Sequence, residues 1–465
     1  MNNLIRLCGA GLVAALLWGP AAPAQGPSVD IPRAAAESGL SAEQRDQVDQ
    51  YVGELIKALA AAENAKRVVE IRTLLIRGYN VHGTAAAFQE AYADSMAVHG
   101  QALLSGQLGP DDALTSLKEI NLAISVGRMA QLSLRPLVRA MVVHKNPAVR
   151  YFGWNVYALL RAPVLAEGGD APEAMYATIT KAASQESDPL VLAELMRTLH
   201  LPPNPGPGQG VTREAHQDAQ RKFFGILQGD WMRLCRRVLA VDGGMSEAAA
   251  GGVNTARALA TGLGDAAVGK AAMQMVLNMA WSAGKAYDES LQMMRAAQAA
   301  SDAQAAEQEG GGPAGVAAAV EGEAAAKADQ LAQRLGKTPE ALAAMSGDIE
   351  QALSANTLLL KECEEALNTL TGKGEPGELR IRQPLSASGG MGDPGAAVQL
   401  GVLKWVDELR KTHGLKHPKD VVPAPVATAP ATKPATAPAT APATKAAPPP
   451  APTIKGLRLP AKAAA

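Results

Sequence analysis

Aromatic side chains are scarce in this chain of 465 residues: Phe, Tyr and Trp together make up 3% of it. Large side chains supply much of the area buried in a core, so the few present show where a core can form. Trp18 stands near the N-terminus, 14 of the aromatics lie between Tyr51 and Tyr287, and only Trp405 follows. The packed body is therefore expected over residues 45–295. Cysteine is scarcer still, with Cys8, Cys235 and Cys363 alone, which excludes a fold held together by disulfides. Period-2 alternation bounded by hairpin turns is missing, which argues against a sheet. Charge of one sign does not dominate either. A net charge of −1 and a pI near 6.7 argue against a dedicated nucleic-acid binder. Outside the N-terminus no run approaches the roughly 18 uncharged apolar residues that a membrane span needs.

That N-terminus has the three parts of a secretory signal peptide. Arg6 supplies positive charge, Leu7–Trp18 is an uncharged apolar run of 12 residues, and Gly19-Pro20 breaks it. Ala22 and Ala24 then place small side chains before a cut at Gln25. The expectation is an exported protein, periplasmic or secreted, with residues 1–24 removed and no transmembrane span in the mature chain. An uncleaved N-terminal anchor is the alternative. After removal of Cys8 the mature chain keeps Cys235 and Cys363, 128 positions apart, and spacing does not decide whether they pair.

Composition divides the rest. Residues 296–326 are rich in Ala, Gly and Glu and read as a low-complexity linker. Residues 327–372 regain helical periodicity and read as a helical hairpin or short coiled coil. Within them Ile349, Leu353, Asn356, Leu360, Cys363, Leu367 and Leu370 follow heptad spacing. Packing of this seam within the chain competes with dimerisation, so the oligomeric state stays open. A Gly/Pro-rich linker (373–394) and an amphipathic helix (395–412) with Trp405 come next. The final segment, 421–465, holds 11 of the 31 prolines in a repeating Ala/Pro/Thr pattern. It carries five basic residues and no acid, against −7 for residues 25–420. It is expected to be a disordered, basic tail. Weak contact with an anionic surface is one expectation for it, and a passive spacer is the other.

Helix signals fill the body. Asn146-Pro147 and Asp188-Pro189 each pair a capping side chain with a proline at the first helical position, where no donor is wasted. Asp170-Ala171-Pro172-Glu173 resembles a capping box. The starts at Asn146 and Asp188 lie 42 residues apart, and Asp265 is a third, 77 further on. Three residues past them stand Val149, Val191 and Val268; eight past, Trp154, Met196 and Met273; eleven past, Tyr157, Leu199 and Val276. These offsets share one helix face, so the nine residues are the expected repeat core. A second helix is expected before each start, over 134–144, 174–185 and 253–263.

The segments LRPLVRAMVVHKNPAVRYFGWNVYALL and MYATITKAASQESDPLVLAELMRTLHL resemble HEAT repeats: an apolar helix, an Asn/Asp-Pro turn, then valine and a second apolar helix. The resemblance covers about residues 110–290, is interrupted by LPPNPGPGQG (201–210), and fits residues 211–250 poorly. The fold expected is all-α: an irregular HEAT-like helical solenoid, then a linker, a small helical hairpin and a disordered Pro/Ala-rich tail. The resemblance implies a scaffold that binds proteins, with no catalytic residues to carry over.

Several short motifs imitate chemistry. GDAAVGKA (264–271) has the glycine and lysine spacing of a phosphate loop, but Ala271 replaces the hydroxyl residue that would hold magnesium. Ser282…Lys285, Ser354…Asn356 and Lys411-Thr412-His413-Gly414 imitate the elements of penicillin-recognising serine enzymes, whose third element needs a strand. His413 and His417 share helical spacing without a third ligand in sequence reach. No catalytic set, metal site or cofactor is therefore expected. The leading expectation is a non-enzymatic exported scaffold that binds an envelope protein or polymer, not nucleic acid. Arg135, Arg139 and Arg150 lie outside the apolar stripe and are its contact candidates. The alternative is a cell-envelope enzyme acting on peptidoglycan or another glycan through dispersed carboxylates such as Asp94, Glu167 or Glu194. Mass spectrometry of the native protein should find a mature chain beginning at Gln25, and a retained Met1 contradicts the signal-peptide reading.

Overall fold

The computed structural model describes residues 31–106, 112–206, 210–238, 243–308, 333, 338–372 and 405–418. The segments read as signal peptide, Gly/Pro-rich linker and basic tail lie outside the described residues, as does the linker beyond residue 308. The described residues all fall in one unit, 1–425, and their regular structure is entirely helical. The helices are α1 (Arg33–Ser38), α2 (Ala42–Ala60), α3 (Ala65–Tyr79), α4 (Ala86–Leu104) and α5 (Ala113–Val126). A 3-10 turn, Leu132–Leu134, leads into α6 (Arg135–Val142), followed by α7 (Pro147–Glu167), α8 (Asp170–Gln185) and α9 (Pro189–Leu199). Then come α10 (Arg213–Arg237), α11 (Gly243–Leu263), α12 (Ala266–Gln308), α13 (Pro339–Ala344), α14 (Ser346–Thr371) and α15 (405–413).

Alternate helices stack. One row runs α3, α5, α7, α9, α11, α14, each packed on the next. The other contains α2, α4 and α6, then α8, α10 and α12. This follows from amphipathicity: a helix with one apolar stripe can bury it only against neighbours on both sides of a shared core. One buried cluster accordingly runs from Ile31 to Leu415. Among the aromatics, Tyr79, Phe88, Tyr92 and Trp154 are buried, while Tyr51 and Phe152 are partly buried against the same core. Close approach of α6 and α7 depends on Gly153, where a Cβ would stand 2.9 Å from Met141 Cβ and 3.0 Å from the Val142 nitrogen.

The three capping side chains form their bonds. Asn146 accepts from Ala148 N–H at 3.0 Å, and Asp188 accepts from Leu190 and Val191 N–H at 3.0 and 3.1 Å. Asp265 accepts from Ala267 and Val268 N–H at 2.8 and 3.0 Å. Their helices are not equivalent, however. Those begun at Asn146 and Asp188, α7 and α9, share one row, whereas α12, begun at Asp265, belongs to the other. Val149, Trp154, Tyr157, Val191, Met196, Leu199 and Val276 are buried, but Val268 and Met273 are only partly so. The third copy is out of phase because α10 and α11 form a helix pair of their own. Residues 211–250, which fit the repeat poorly in sequence, supply α10, packed on both α8 and α11.

One boundary also differs from the compositional division. Helix α12 continues through Gln308, and Ala296 and Ala297, inside the expected linker, are buried with Met293 and Ile349. Alanine has the best helix propensity and needs little room, so a helix persists where large apolar groups are missing. The heptad seam of α14 packs on α11 and α12 in the same chain. Its Asn356 is buried and accepts a hydrogen bond from Ser246 Oγ at 2.5 Å. Val406, Leu409 and Leu415 join the main core, and the Gln274 side chain of α12 brackets the Lys416 backbone at 2.7 and 3.1 Å. No helix among the described residues is long and apolar enough to cross a membrane.

Val149→Ala and Val191→Ala should each destabilise the protein by about 1–3 kcal/mol in urea unfolding, and Val268→Ala by clearly less, because only the first two side chains leave a fully enclosed cavity.

Candidate functional site

The row containing α6 and α8 is interrupted. These two helices do not pack on each other as α2 packs on α4 or α8 on α10. Helix α6 has only 8 residues, too few to span the distance that its longer counterparts cover. The interruption leaves an open groove of about 500 Å³ lined by Arg135, Arg139, Glu167, Gly168–Asp170, Ala171 and Ala174. Arg135 and Arg139 are one turn apart on α6 and share a face. The opposite wall is the end of α7 and the start of α8. Gly168 and Gly169 have φ of 69° and 58°, a region that favours glycine, and they reverse the chain there.

The capping box expected at Asp170 does not form. Asp170 is the first residue of α8, Gly169 occupies the cap position, and no side chain caps the helix. Pro172 brings no donor to the first turn, and Ala171 N–H reaches only the Gly168 carbonyl, at 3.4 Å. Arg135 Nη2 stands 2.8 Å from the Glu167 carboxylate across the groove. Arg139 has no carboxylate partner among the described residues, and its Nε is buried without a hydrogen-bond partner. On its inner side its guanidinium is in hydrogen-bonding reach of the hydroxyl of the buried Tyr157, which Thr178 also reaches. Burial raises the Tyr157 pKa against the opposing influence of Thr178 and the two arginines, so the phenol stays neutral near pH 7.

Arg150, the third contact candidate, belongs to another set. Its Nε and Nη2 grip the Glu186 carboxylate at 2.8 and 2.9 Å, and Nη1 donates to the His144 and Lys145 carbonyls at 2.9 and 3.0 Å. Glu186 in turn accepts from Ser187 and Asp188 N–H, both at 2.8 Å. Other arginines do similar work. Arg161 donates to the Thr198 and His200 carbonyls at the end of α9, at 2.5 and 2.8 Å. Arg233 and Arg237 converge from α10 on the Glu186 carbonyl at 2.9 and 2.8 Å, and reach those of Ala183 and Ser187. These guanidinium groups satisfy carbonyls that a helix end leaves without an intrahelical donor. Arg150 is therefore a clamp between helix pairs, unlike the groove arginines. Its spacing on the helix resembled theirs, and only the fold separates them.

The remaining candidates do not converge. Asp94 is exposed on α4, Glu167 is held by Arg135, and Glu194 is buried with Arg197 and Asn155. Lys285 Nζ sits 3.9 Å above the Trp281 ring, while Ser282 lies beside the Cys235 thiol and Asn356 bonds to Ser246. The phosphate-loop imitation is the Gly264-Asp265 turn after α11 and the first turns of α12. His417 does have an acidic neighbour, with Asp407 3.9 Å from its Nε2, which the sequence spacing did not reveal. Among the described residues no group of three or more His, Cys, Asp or Glu could hold a metal ion. Cys235 and Cys363 are free and buried, and burial pushes both thiols up, away from the reactive thiolate. No protein-family model, curated protein or solved structure matches this chain.

Arg150→Ala should cost about 2–3 kcal/mol at pH 7, because Glu186 is left buried without its partner. Burial alone raises the Glu186 pKa, but Arg150 and the N–H groups of Asp188 and Ser187 outweigh it and hold the carboxyl below its ordinary value. Its contribution is thus present above the unfolded-state pKa and disappears as pH falls through the lower folded value. Urea unfolding of both proteins should show a gap at pH 7 that narrows below about pH 4.

Proposed function

We propose that this chain is an exported, non-enzymatic scaffold that binds an envelope protein or polymer through the surface of its helical stack. The observation that carries this reading is the groove between α6 and α8. Arg135 and Arg139 face into it, and Arg139 has no carboxylate partner among the described residues. Charged side chains that serve the fold in this protein are tied to carbonyls or carboxylates, as Arg150, Arg161 and Arg233 are. Arg139, which meets only the Tyr157 hydroxyl and no carboxylate or carbonyl among the described residues, stands beside an open groove and is suited to an outside partner. The HEAT-like pattern of residues 110–290 supports the same reading, since stacked helix pairs form long surfaces that engage extended partners. The N-terminal pattern supports an envelope location, where the basic residues of 421–465 favour contact with anionic components.

Crosslinking pull-down from native envelope tests the proposal. An Arg135→Glu/Arg139→Glu variant should keep its helical circular dichroism, because an exposed bridge such as Arg135–Glu167 contributes only about 0–1 kcal/mol. It should lose at least one partner that the unmodified protein retains. Arg150→Ala, refolded where stable, should retain that partner. Unchanged recovery of every partner by the double variant excludes this face as the binding site.

A further inference from the structure

We infer that Cys235 and Cys363 are a disulfide-forming pair, closed by thiol–disulfide exchange while the chain folds in an oxidising compartment, which joins α14 covalently to α10. The oxidant in that statement rests on the export reading; the pairing itself rests on the fold. The two cysteines stand 128 positions apart in the chain, and the fold removes that separation. Two residues of α11 mark one level of the stack. A Cβ at Gly252 would stand 3.2 Å from the Leu234 side chain and 3.3 Å from Trp231, both on α10. Asn254 donates to Glu362 of α14 at 2.8 Å. Leu234 and Glu362 are the residues immediately before the two cysteines. Helix α12 passes the same place: its Ser282 lies beside the Cys235 thiol, and the helix packs on both α10 and α14. Cys235 and Cys363 are 2% and 0% exposed and belong to one buried cluster. Near this level the intervening helices carry small buried residues, Gly252 and Ala256 on α11 and Ala283 and Ala286 on α12. Burial raises the Cys363 pKa, and the Cys235 thiol beside it raises it further, so each sulfur lies within reach of the other's charge.

In the closed fold both thiols are enclosed and held protonated, which makes them poor nucleophiles. The bond therefore forms on the opening or folding chain, where the thiols meet water. One cysteine thiolate attacks a sulfur of a donor disulfide, a small molecule or a protein oxidant, and the first donor thiolate leaves. The other cysteine thiolate then attacks the protein sulfur of that mixed disulfide and releases the second donor thiolate. The pair loses two electrons and two protons, and the donor disulfide becomes two thiols. Closure of the core then hides the new bond from reductants. On the signal-peptide reading Cys8 is removed, so no other cysteine of the mature chain competes. A link across so long a stretch of chain restricts the unfolded state strongly, and it ties α14 to a body from which a low-complexity sequence separates it.

The test uses the protein purified from its native source, denatured with a maleimide and no reductant, then digested and mapped by mass spectrometry. A Cys235 peptide linked to a Cys363 peptide is expected, two hydrogens lighter than their sum, with no maleimide on either cysteine. In a second arm the same protein is reduced, unfolded in urea and refolded in mixed reduced and oxidised glutathione. The linked peptides should again predominate over glutathione adducts. The linked protein should keep its helical circular dichroism and unfold at a higher urea concentration than after reduction with dithiothreitol. Free thiols in both arms overturn the inference. Glutathione adducts or links between copies of the chain, in protein that refolds normally, overturn it too. So does a linked form that unfolds at lower urea than the reduced one, because the bond would then strain the fold. Linkage on refolding with free thiols in the native protein upholds the pair and overturns the export reading that supplies its oxidant. Where refolding fails, the native arm decides alone. Loss or retention of a partner by the groove variants bears on the scaffold reading and leaves this pairing untouched.

Discussion

Each long helix in this protein can bury its apolar stripe only against neighbours in its own row and in the row across the shared core, and most of the structure follows from that constraint. Because the contacts are between neighbours, the core is continuous without being wide, and it is assembled from Val, Leu, Ala and Met with few aromatics. Chain segments of different composition are drawn into the same core once they form a helix beside its open end. That is how α14 and the segment around α15 come to pack with the body. The same constraint explains the groove. Where one helix is too short to meet its neighbour, no other described helix lies in the space.

Stacked short helices create many helix ends, and each end leaves carbonyls that need donors. Arginine meets this need here because its several N–H groups can serve two carbonyls, or a carboxylate and a carbonyl, at once. Arg150 joins the turn after α6 to Glu186 at the end of α8, while Arg233 and Arg237 reach that same end from α10. The result is a polar joint where α6, α8 and α10 meet the other row. Such joints fix the angle between pairs, because moving one pair would strand a buried carboxylate or carbonyl. They also divide the arginines into those the fold consumes and those left for other work.

Cap positions were legible in the residues. Asn146-Pro147, Asp188-Pro189 and Asp265 form the bonds that their side chains imply. Capping is local, decided within three residues by groups adjacent in the chain. The exception is Asp170, where the preceding Gly168-Gly169 pair takes a left-handed path and moves the cap position one residue upstream. Membership of a row was not legible. Val268 has the same local setting as Val149 and Val191, yet it is less buried, because the burial of a helix face depends on which helix lies opposite. The alanine-rich end of α12 was misread for a related reason: small side chains give little hydrophobic signal alone but pack closely once Met293 and Ile349 are beside them.

The sequence by itself determined that the protein is helical, where most helices start, which large side chains are core, and that no local catalytic motif is complete. These properties depend on backbone propensity, side-chain size and spacing within a few turns, all of which are written in consecutive residues. Only the tertiary structure decided that Arg150 is a clamp while Arg139 has no carboxylate partner among the described residues, and that α6 stops short of α8. Arg135, Arg139 and Arg150 look alike along the chain. What separates them is the position of Glu167, 32 residues beyond Arg135, and of Glu186, 36 beyond Arg150. The availability of a charge is a property of what folds against it, and that is fixed by contacts between distant residues.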